Sequence, residues 1–172
     1  MNFTMVPYGN AIKDPRTGEI QCQHGPDECT LNKAQLCGIK QGKTADVWWP
    51  FILCTEDLRT GGIDSIAPCA DSSAGIDTDV LTVCYQGPEG DDLLAQAGAI
   101  TDALDPPHQY TPWVVLEGKP LEDTSDITKS VCDAYTGSPK PAACNAANEQ
   151  DSPEPEKCYK PKKAQRLTSP VA

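Results

Sequence analysis

The residues of this chain best suited to chemistry are its nine cysteines, three of which fall between Cys22 and Cys37. A cysteine thiolate can exchange with a disulfide, bind a metal or be consumed in a structural disulfide. Exchange needs a thiolate, and a Cys-x-x-Cys pair at a helix N-terminus favours the thiolate by lowering the pKa of its thiol. No two cysteines of the 172 residues have that spacing. The cysteines are therefore predicted to be structural, and the sequence predicts no catalytic residue in this chain.

A metal site is the second chemistry to consider for the run from Cys22 to Cys37. Cys22, His24, Cys29 and Cys37 would supply one imidazole and three thiolates, but their spacing matches no common zinc module. Cysteines of oxidising compartments are usually consumed in disulfides instead. The sequence therefore predicts neither a metal ligand set nor a cofactor. His24 is predicted to order the turn before the following helix.

Disulfides are the structural alternative, and eight cysteines precede residue 145, an even number that suits a closed framework. The candidates are Cys22, Cys29, Cys37, Cys54, Cys69, Cys84, Cys132 and Cys144. Only one local pair is favoured, Cys132 with Cys144, because Gly137 and two prolines let the chain turn back between them. Cys158 is predicted to lie outside this set, as a thiol or in an intermolecular disulfide.

Charge and composition exclude several classes of partner. The formal net charge is −11, so the phosphates of nucleic acids and anionic lipids would repel the chain. No apolar run reaches the length of a membrane helix. The sequence thus predicts neither a nucleic-acid partner nor a membrane partner.

The cysteine content also points to a compartment. Nine cysteines in 172 residues fit an oxidising environment, and Asn2 begins an N-glycosylation sequon. Yet Met1 is followed directly by residues with strand character, without the segments of a signal peptide. The cysteine content indicates export, but the given chain shows no export signal. We therefore expect that an upstream part of the gene product is missing.

The elements that would position these residues are mostly helical. Asn2 to Pro7 and Glu19 to Gln23 are predicted to be short strands. Pro26, followed by two acidic residues, predicts a helix start, and Gly42 predicts its end. Apolar side chains at helical spacing predict further helices up to residue 104.

The pattern changes after residue 104. Trp113 to Leu116 and Lys119 to Leu121 are predicted strands joined by a tight Glu117-Gly118 turn. A last helix is predicted over about 126–136. Residues 145–172 are rich in Pro, Glu and Lys and are predicted to be a disordered tail. The predicted fold class is α/β.

Several segments resemble those of one family. The run from Cys22 resembles C-Q-H-G-x-x-E-C-x-x-N-x-x-x-x-C, the signature of the gamma-interferon-inducible lysosomal thiol reductase family. The matching positions that we single out are Cys22, His24, Gly25, Cys29, Asn32 and Cys37. Residues 6–11, 101–110 and 112–123 resemble three further segments of the family, so the resemblance covers about residues 1–144. Glu117 replaces the usual asparagine of one segment, and the family's Cys-x-x-Cys pair is absent.

The resemblance implies a fold and a substrate-binding face. It implies a partial thioredoxin-like domain over residues 1–144, with a helical insertion over about 26–104. The first, central strand and the first helix of that fold, with the cysteine pair, would be absent from this chain. The resemblance further implies that the peptide bond before Pro112 is cis, and that Thr111 offers its backbone to an extended substrate.

The resemblance also implies a function. It implies that complete family members reduce disulfide-bonded protein substrates. The family and the cysteine content together predict a lysosomal or extracellular location. This chain alone is expected to be inactive because it lacks the redox pair. The alternative is a non-catalytic, secreted cysteine-rich module that binds other proteins or acts as a decoy. A Cys-x-x-Cys encoded immediately upstream of Met1 would favour the first of these hypotheses.

Overall fold

The computed structural model describes residues 3–57, 59–146 and 157–160 and divides into two compact units, residues 1–107 and 108–172. The first unit is a helical assembly that follows one short hairpin. Its elements are β1 (Ile12–Lys13), β2 (Ile20–Gln21), α1 (Pro26–Gly42), α2 (Ala45–Thr55), a 3₁₀ turn (Ile63–Ser65), α3 (Ile66–Ser72), α4 (Thr78–Gln86) and α5 (Pro88–Asp102). Among the described residues, no helix is both long and apolar enough to cross a bilayer.

The described residues of the second unit form short antiparallel ribbons and two helices. Its elements are β3 (Tyr110–Thr111), β4 (Val115–Leu116), β5 (Lys119–Pro120), α6 (Ile127–Ala134), α7 (Ala143–Ala146) and β6 (Cys158–Tyr159). β1 pairs with β2, β4 with β5, and β3 with β6, each as a separate two-stranded ribbon. The chain is therefore a mixed structure of helices and small sheets, which agrees with the predicted α/β class at that level.

Helix α1 organises the first unit. Pro26 occupies its first turn with Asp27 and Glu28, as predicted, and Gly25 precedes it with φ 97°, a left-handed conformation that favours glycine. The helix ends at Gly42, and the backbone N–H of the next residue, Lys43, donates to the carbonyl of Ile39 at 3.1 Å. α1 packs against α2, α4 and α5, so it lies at the centre of the unit.

The main core of the first unit lies where α1, α2, α3 and α4 meet. Its largest buried side chains include Trp48, Phe51 and Leu81. Full burial of one such apolar side chain contributes roughly 1.5–3 kcal/mol. A buried polar contact joins α1 to α2, because Gln35 Nε2 donates to Thr55 Oγ1 at 3.1 Å.

One sequence expectation fails at the start of the chain. Residues 3–6 form no strand, and Pro7 begins a turn. The reason lies in side-chain packing, because Tyr8 and Ala11 are buried beside Leu94 and Ala97 in a second, smaller core. Tyr8 and Ala11 contact α5, and Phe3 stacks on Trp48 of α2 with ring centroids 5.7 Å apart, so packing rather than strand pairing holds this segment.

Gly38 lies at the closest approach of α1 to Phe51. A Cβ atom at residue 38 would come within 2.7 Å of two ring carbons of Phe51, which is fully buried. Gly38→Ala is therefore expected to lower the free energy of unfolding by about 1–3 kcal/mol through overpacking, even after the gain of about 1 kcal/mol in helix propensity. Urea denaturation measures this change.

A second-site variant separates that clash from other effects of the substitution. Phe51→Leu removes the ring that the new methyl group would meet. The Gly38→Ala/Phe51→Leu protein should lose less stability than the sum of the two single losses. Strictly additive losses would show that the Phe51 ring is not the obstacle.

The hairpin of the second unit forms where it was predicted. Glu117 and Gly118 have φ angles of 50° and 76°, which fits a two-residue turn with both central residues in the left-handed region. Glutamate is unfavourable there, whereas asparagine tolerates it. Glu117→Asn is expected to raise the free energy of unfolding by roughly 0.5–1 kcal/mol. Thermal unfolding beside the exposed-loop control Glu122→Asn checks this, and a loss of stability would contradict it.

The predicted tail is described only in part. Residues 147–156 and 161–172 lie outside the described residues, as does the sequon residue Asn2. Whereas composition predicts disorder throughout 145–172, Cys158 and Tyr159 form β6. The physical reason is a tertiary partner, because the segment pairs with β3.

Candidate functional site

The polar residues of the cysteine-rich run line up at the start of α1. His24, Glu28 and Asn32 are spaced four residues apart, which places Glu28 and Asn32 on one helix face. The backbone N–H of His24 donates to Glu28 Oε2 at 2.6 Å, and its Nδ1 lies 3.1 Å from the same oxygen. Glu28 therefore reaches back over the first turn and contacts both the backbone and the ring of His24.

The predicted disulfide candidates all form disulfides. The pairs are Cys22–Cys29, Cys37–Cys84, Cys54–Cys69 and Cys132–Cys144. The predicted local pair, Cys132 with Cys144, is confirmed, with its Cα atoms 5.4 Å apart. Cys158 lies outside these four bonds and is exposed.

These bonds fix the architecture around α1. Cys22–Cys29 ties the end of the hairpin to the first turns of α1, and Cys37–Cys84 ties α1 to α4. Cys29 and Cys37 thus hold sulfur partners, so neither offers a thiolate to a metal beside His24. The described residues contain no cluster of His, Cys, Asp and Glu that could hold a metal ion.

A cleft of about 350 Å³ opens beside the N-terminal half of α1. Its lining residues are His24, Asp27, Glu28, Leu31, Asn32, Glu56, Gly62 and Ile63. Three of these side chains are carboxylates, and the lining includes no lysine or arginine. Asn32 is only 9% exposed, and its Nδ2 has no hydrogen-bond partner among the described residues. The cleft is electrostatically suited to a cationic group rather than an anion.

The segment over residues 6–11 packs against α5. The ring of Tyr8 is 2% exposed, and it packs so closely on Gly98 that a Cβ there would lie 2.9 Å away. Burial, with a further contribution from the carboxylate of Asp102, raises the pKa of Tyr8 above its usual range. The Tyr8 phenol therefore stays protonated and serves as a packing group.

The predicted substrate face lies in the second unit. The Thr111–Pro112 peptide bond is cis, which confirms that expectation. Thr111 is partly buried in β3, and Pro112 is exposed. His108, at the start of the unit, is 4% exposed. Next to Thr111, the ring of Tyr110 lies 5.1 Å from that of Trp113 in an edge-on arrangement.

Three residues near this face were not anticipated from the sequence. Tyr110 contacts the ring of Tyr159, with centroids 5.8 Å apart, and Lys157 Nζ lies 4.8 Å from the Tyr110 centroid. The one available signal was that Tyr159 is the only aromatic residue in 145–172 and has lysines close by. That signal alone does not identify β3 as the partner.

Comparison with known proteins shows to which family the chain belongs. The family model described as gamma interferon inducible lysosomal thiol reductase matches residues 1–73, a stretch that holds the whole Cys22–Cys37 run. The gamma-interferon-inducible lysosomal thiol reductase of Mus musculus is 36% identical over 163 residues, which is 93% of this chain. The chain belongs to this thiol reductase family. The family membership implied by the signature is thereby confirmed.

Two further family relatives extend the match across kingdoms. The gamma-interferon-responsive lysosomal thiol protein of Arabidopsis thaliana is 34% identical over 160 residues, which is 89% of this chain. The thiol reductase of Carassius auratus is 36% identical over 156 residues, or 84% of the chain. The chain spans 64%, 65% and 59% of the mouse, plant and fish relatives respectively, less than two thirds of each.

Proposed function

We propose that the protein represented by this chain is a thiol-disulfide oxidoreductase that reduces disulfide-bonded proteins in a lysosomal, endosomal or extracellular compartment. Family membership is the observation that carries the proposal, and it rests on the match to thiol reductases of two organisms and to a lysosomal thiol protein of a third. The four disulfides support an oxidising location. The role of Asn2 as a glycosylation site remains part of the same proposal.

The proposed reaction needs a pair of cysteines that this chain does not contain. One thiolate attacks a sulfur of the substrate disulfide and forms a mixed disulfide, releasing one substrate thiol. The second cysteine then attacks the mixed disulfide, so the substrate leaves reduced and the pair becomes oxidised. A thiol reductant must restore the pair. Eight of the nine cysteines are paired in four disulfides, and no two cysteines have Cys-x-x-Cys spacing. We therefore propose that this chain alone is inactive.

The chain would contribute the scaffold and a surface for the substrate. We propose that residues 1–144 adopt a thioredoxin-like arrangement in which α1 to α5 are a helical insertion. In it, Thr111 and Pro112 lie on the substrate face, and the backbone of Thr111 pairs with an extended polypeptide. Cys22, His24, Gly25, Cys29, Asn32 and Cys37 would build the α1 scaffold rather than react with the substrate.

A chimera tests whether this scaffold supports the reaction. In the chimera, this chain replaces the matched 64% of the Mus musculus relative, and the remaining part keeps the mouse sequence. The chimera is expected to reduce a disulfide-bonded protein at the mildly acidic pH of an endosome. A folded chimera with the four disulfides intact but without turnover would contradict the proposal.

A further inference from the structure

The edge of β3 is occupied by an extended segment of the chain itself. β6 runs antiparallel to β3, with Tyr159 opposite Tyr110 and Cys158 opposite Thr111. The backbone N–H of Lys160 donates to the carbonyl of Gln109 at 2.9 Å. Backbone pairing of this kind is the usual way in which a sheet edge binds an extended peptide.

Side chains add selectivity to this pairing. The rings of Tyr110 and Tyr159 meet edge-on with centroids 5.8 Å apart. Lys157 Nζ lies 4.8 Å from the centroid of the same Tyr110 ring, within the range of a cation–π interaction. Tyr110 therefore contacts both neighbours of Cys158, a basic residue before it and an aromatic residue after it.

The register places a cysteine at a distinctive position. Successive side chains of a strand point to opposite faces, so Cys158 and Tyr159 project from opposite faces of the ribbon. Thr111, opposite Cys158, precedes Pro112 and donates from Oγ1 to the Cys158 carbonyl at 3.5 Å. A segment that contains a cysteine thus pairs with Thr111, the residue whose backbone is proposed to pair with a substrate.

We propose that the β3 edge binds extended segments in which a cysteine follows a basic residue and precedes an aromatic one, and that residues 157–160 are its built-in competitor. The identification of such segments as substrates rests on the proposed function. The pairing itself rests on the contacts of β3 and β6. A chain with net charge −11 also favours basic segments over acidic ones in solution.

Tethering makes the internal segment a strong competitor. A segment joined to its binding site by a short linker experiences an effective concentration of about millimolar. An external peptide must overcome this occupancy, so weakening β6 should expose the edge. The variant Tyr159→Ala/Lys160→Pro does so by removing the ring contact and the N–H that bonds Gln109.

A binding experiment tests the proposal. The probe is the dye-labelled peptide Glu-Lys-Ser-Tyr-Lys-Pro, a copy of residues 156–161 with serine for Cys158, so that no disulfide can form. Fluorescence anisotropy follows its binding to the full chain, to Tyr159→Ala/Lys160→Pro and to the control Lys162→Pro. The matched peptide Glu-Glu-Ser-Ala-Lys-Pro lacks the cation and the ring.

The proposal expects saturable binding to the Tyr159→Ala/Lys160→Pro chain, about tenfold or more tighter than to the unaltered chain or the control. The matched peptide should bind at least about fivefold more weakly than the first peptide. Equal affinity of all three chains, or of the two peptides, would overturn the proposal. So would undiminished binding after Tyr110→Leu is added to the double variant.

Amide hydrogen exchange gives a second, independent measurement. The amide of Lys160 should exchange more slowly in the unaltered chain than in the Tyr159→Ala variant, because its acceptor is Gln109. Equal, unprotected exchange in both would overturn the pairing. Neither experiment involves a redox step, so the binding proposal can fail while the reductase proposal holds, and the reverse.

Discussion

Replacing Cys37 and Cys84 with alanine is expected to cost this protein more stability than the loss of any other one of its disulfides. The bond closes a separation of 47 residues, whereas Cys22–Cys29 closes only 7. In the chain-entropy description these separations correspond to about 4 and roughly 2 kcal/mol of unfolding free energy. Cys37 and Cys84 are also 3% and 7% exposed in the main core, so truncation removes packing there as well.

Equilibrium urea denaturation of the two double variants, Cys37→Ala/Cys84→Ala and Cys22→Ala/Cys29→Ala, measures the difference. The second variant is the matched control, because it removes the same number of sulfur atoms from the edge of α1. Peptide mapping confirms that the remaining pairs are native in both proteins. An equal loss of stability in the two variants, or a larger loss in the control, would contradict the chain-entropy argument.

The second large effect concerns activity. The isolated chain is expected to show no turnover as a disulfide reductase, because disulfide exchange requires a thiolate. The eight cysteines before residue 145 are paired within the fold, and none has a neighbour at Cys-x-x-Cys spacing. Cys37, Cys69 and Cys84 are also shielded from any substrate by burial.

Local signals explain which elements could be predicted from the sequence. Pro26 with Asp27 and Glu28 marked the start of α1, and the observed helix runs from Pro26 to Gly42. The Glu117-Gly118 turn and the strands beside it also follow from short-range chemistry. Cys132–Cys144 could be paired because only a tight return of the chain separates the two residues.

Long-range contacts explain what could not be predicted. Cys37–Cys84 pairs residues brought together only when α1 packs against α4, and no local signal ranks it above its alternatives. β6 is two residues long and exists through its pairing with β3. Residues 3–7 have strand-like alternation, but the burial of Tyr8 beside Leu94 directs the chain into a turn instead. In each case tertiary packing overrides local propensity.

The candidate site shows the same division. Pro26 with its two acidic neighbours indicated the helix start from the sequence, whereas the contact of Glu28 with His24 appears only in the structure. The acidic cleft beside them also needs Glu56 and Gly62 from a separate part of the chain. Those residues carry no motif, so the cleft emerges only from the packing of α2 and the 3₁₀ turn against α1.

We propose that the cysteines of this chain stabilise its fold and do not carry out the reduction of substrate disulfides. The direct measurement is reduction of a disulfide-bonded protein by the purified Cys158→Ser chain, at endosomal pH and with a small dithiol as reductant. The expected rate equals that of the dithiol alone, while the chimera with the mouse relative turns over many times. Turnover by the Cys158→Ser chain above the dithiol background would show that one of the four disulfides is redox-active and would contradict the claim.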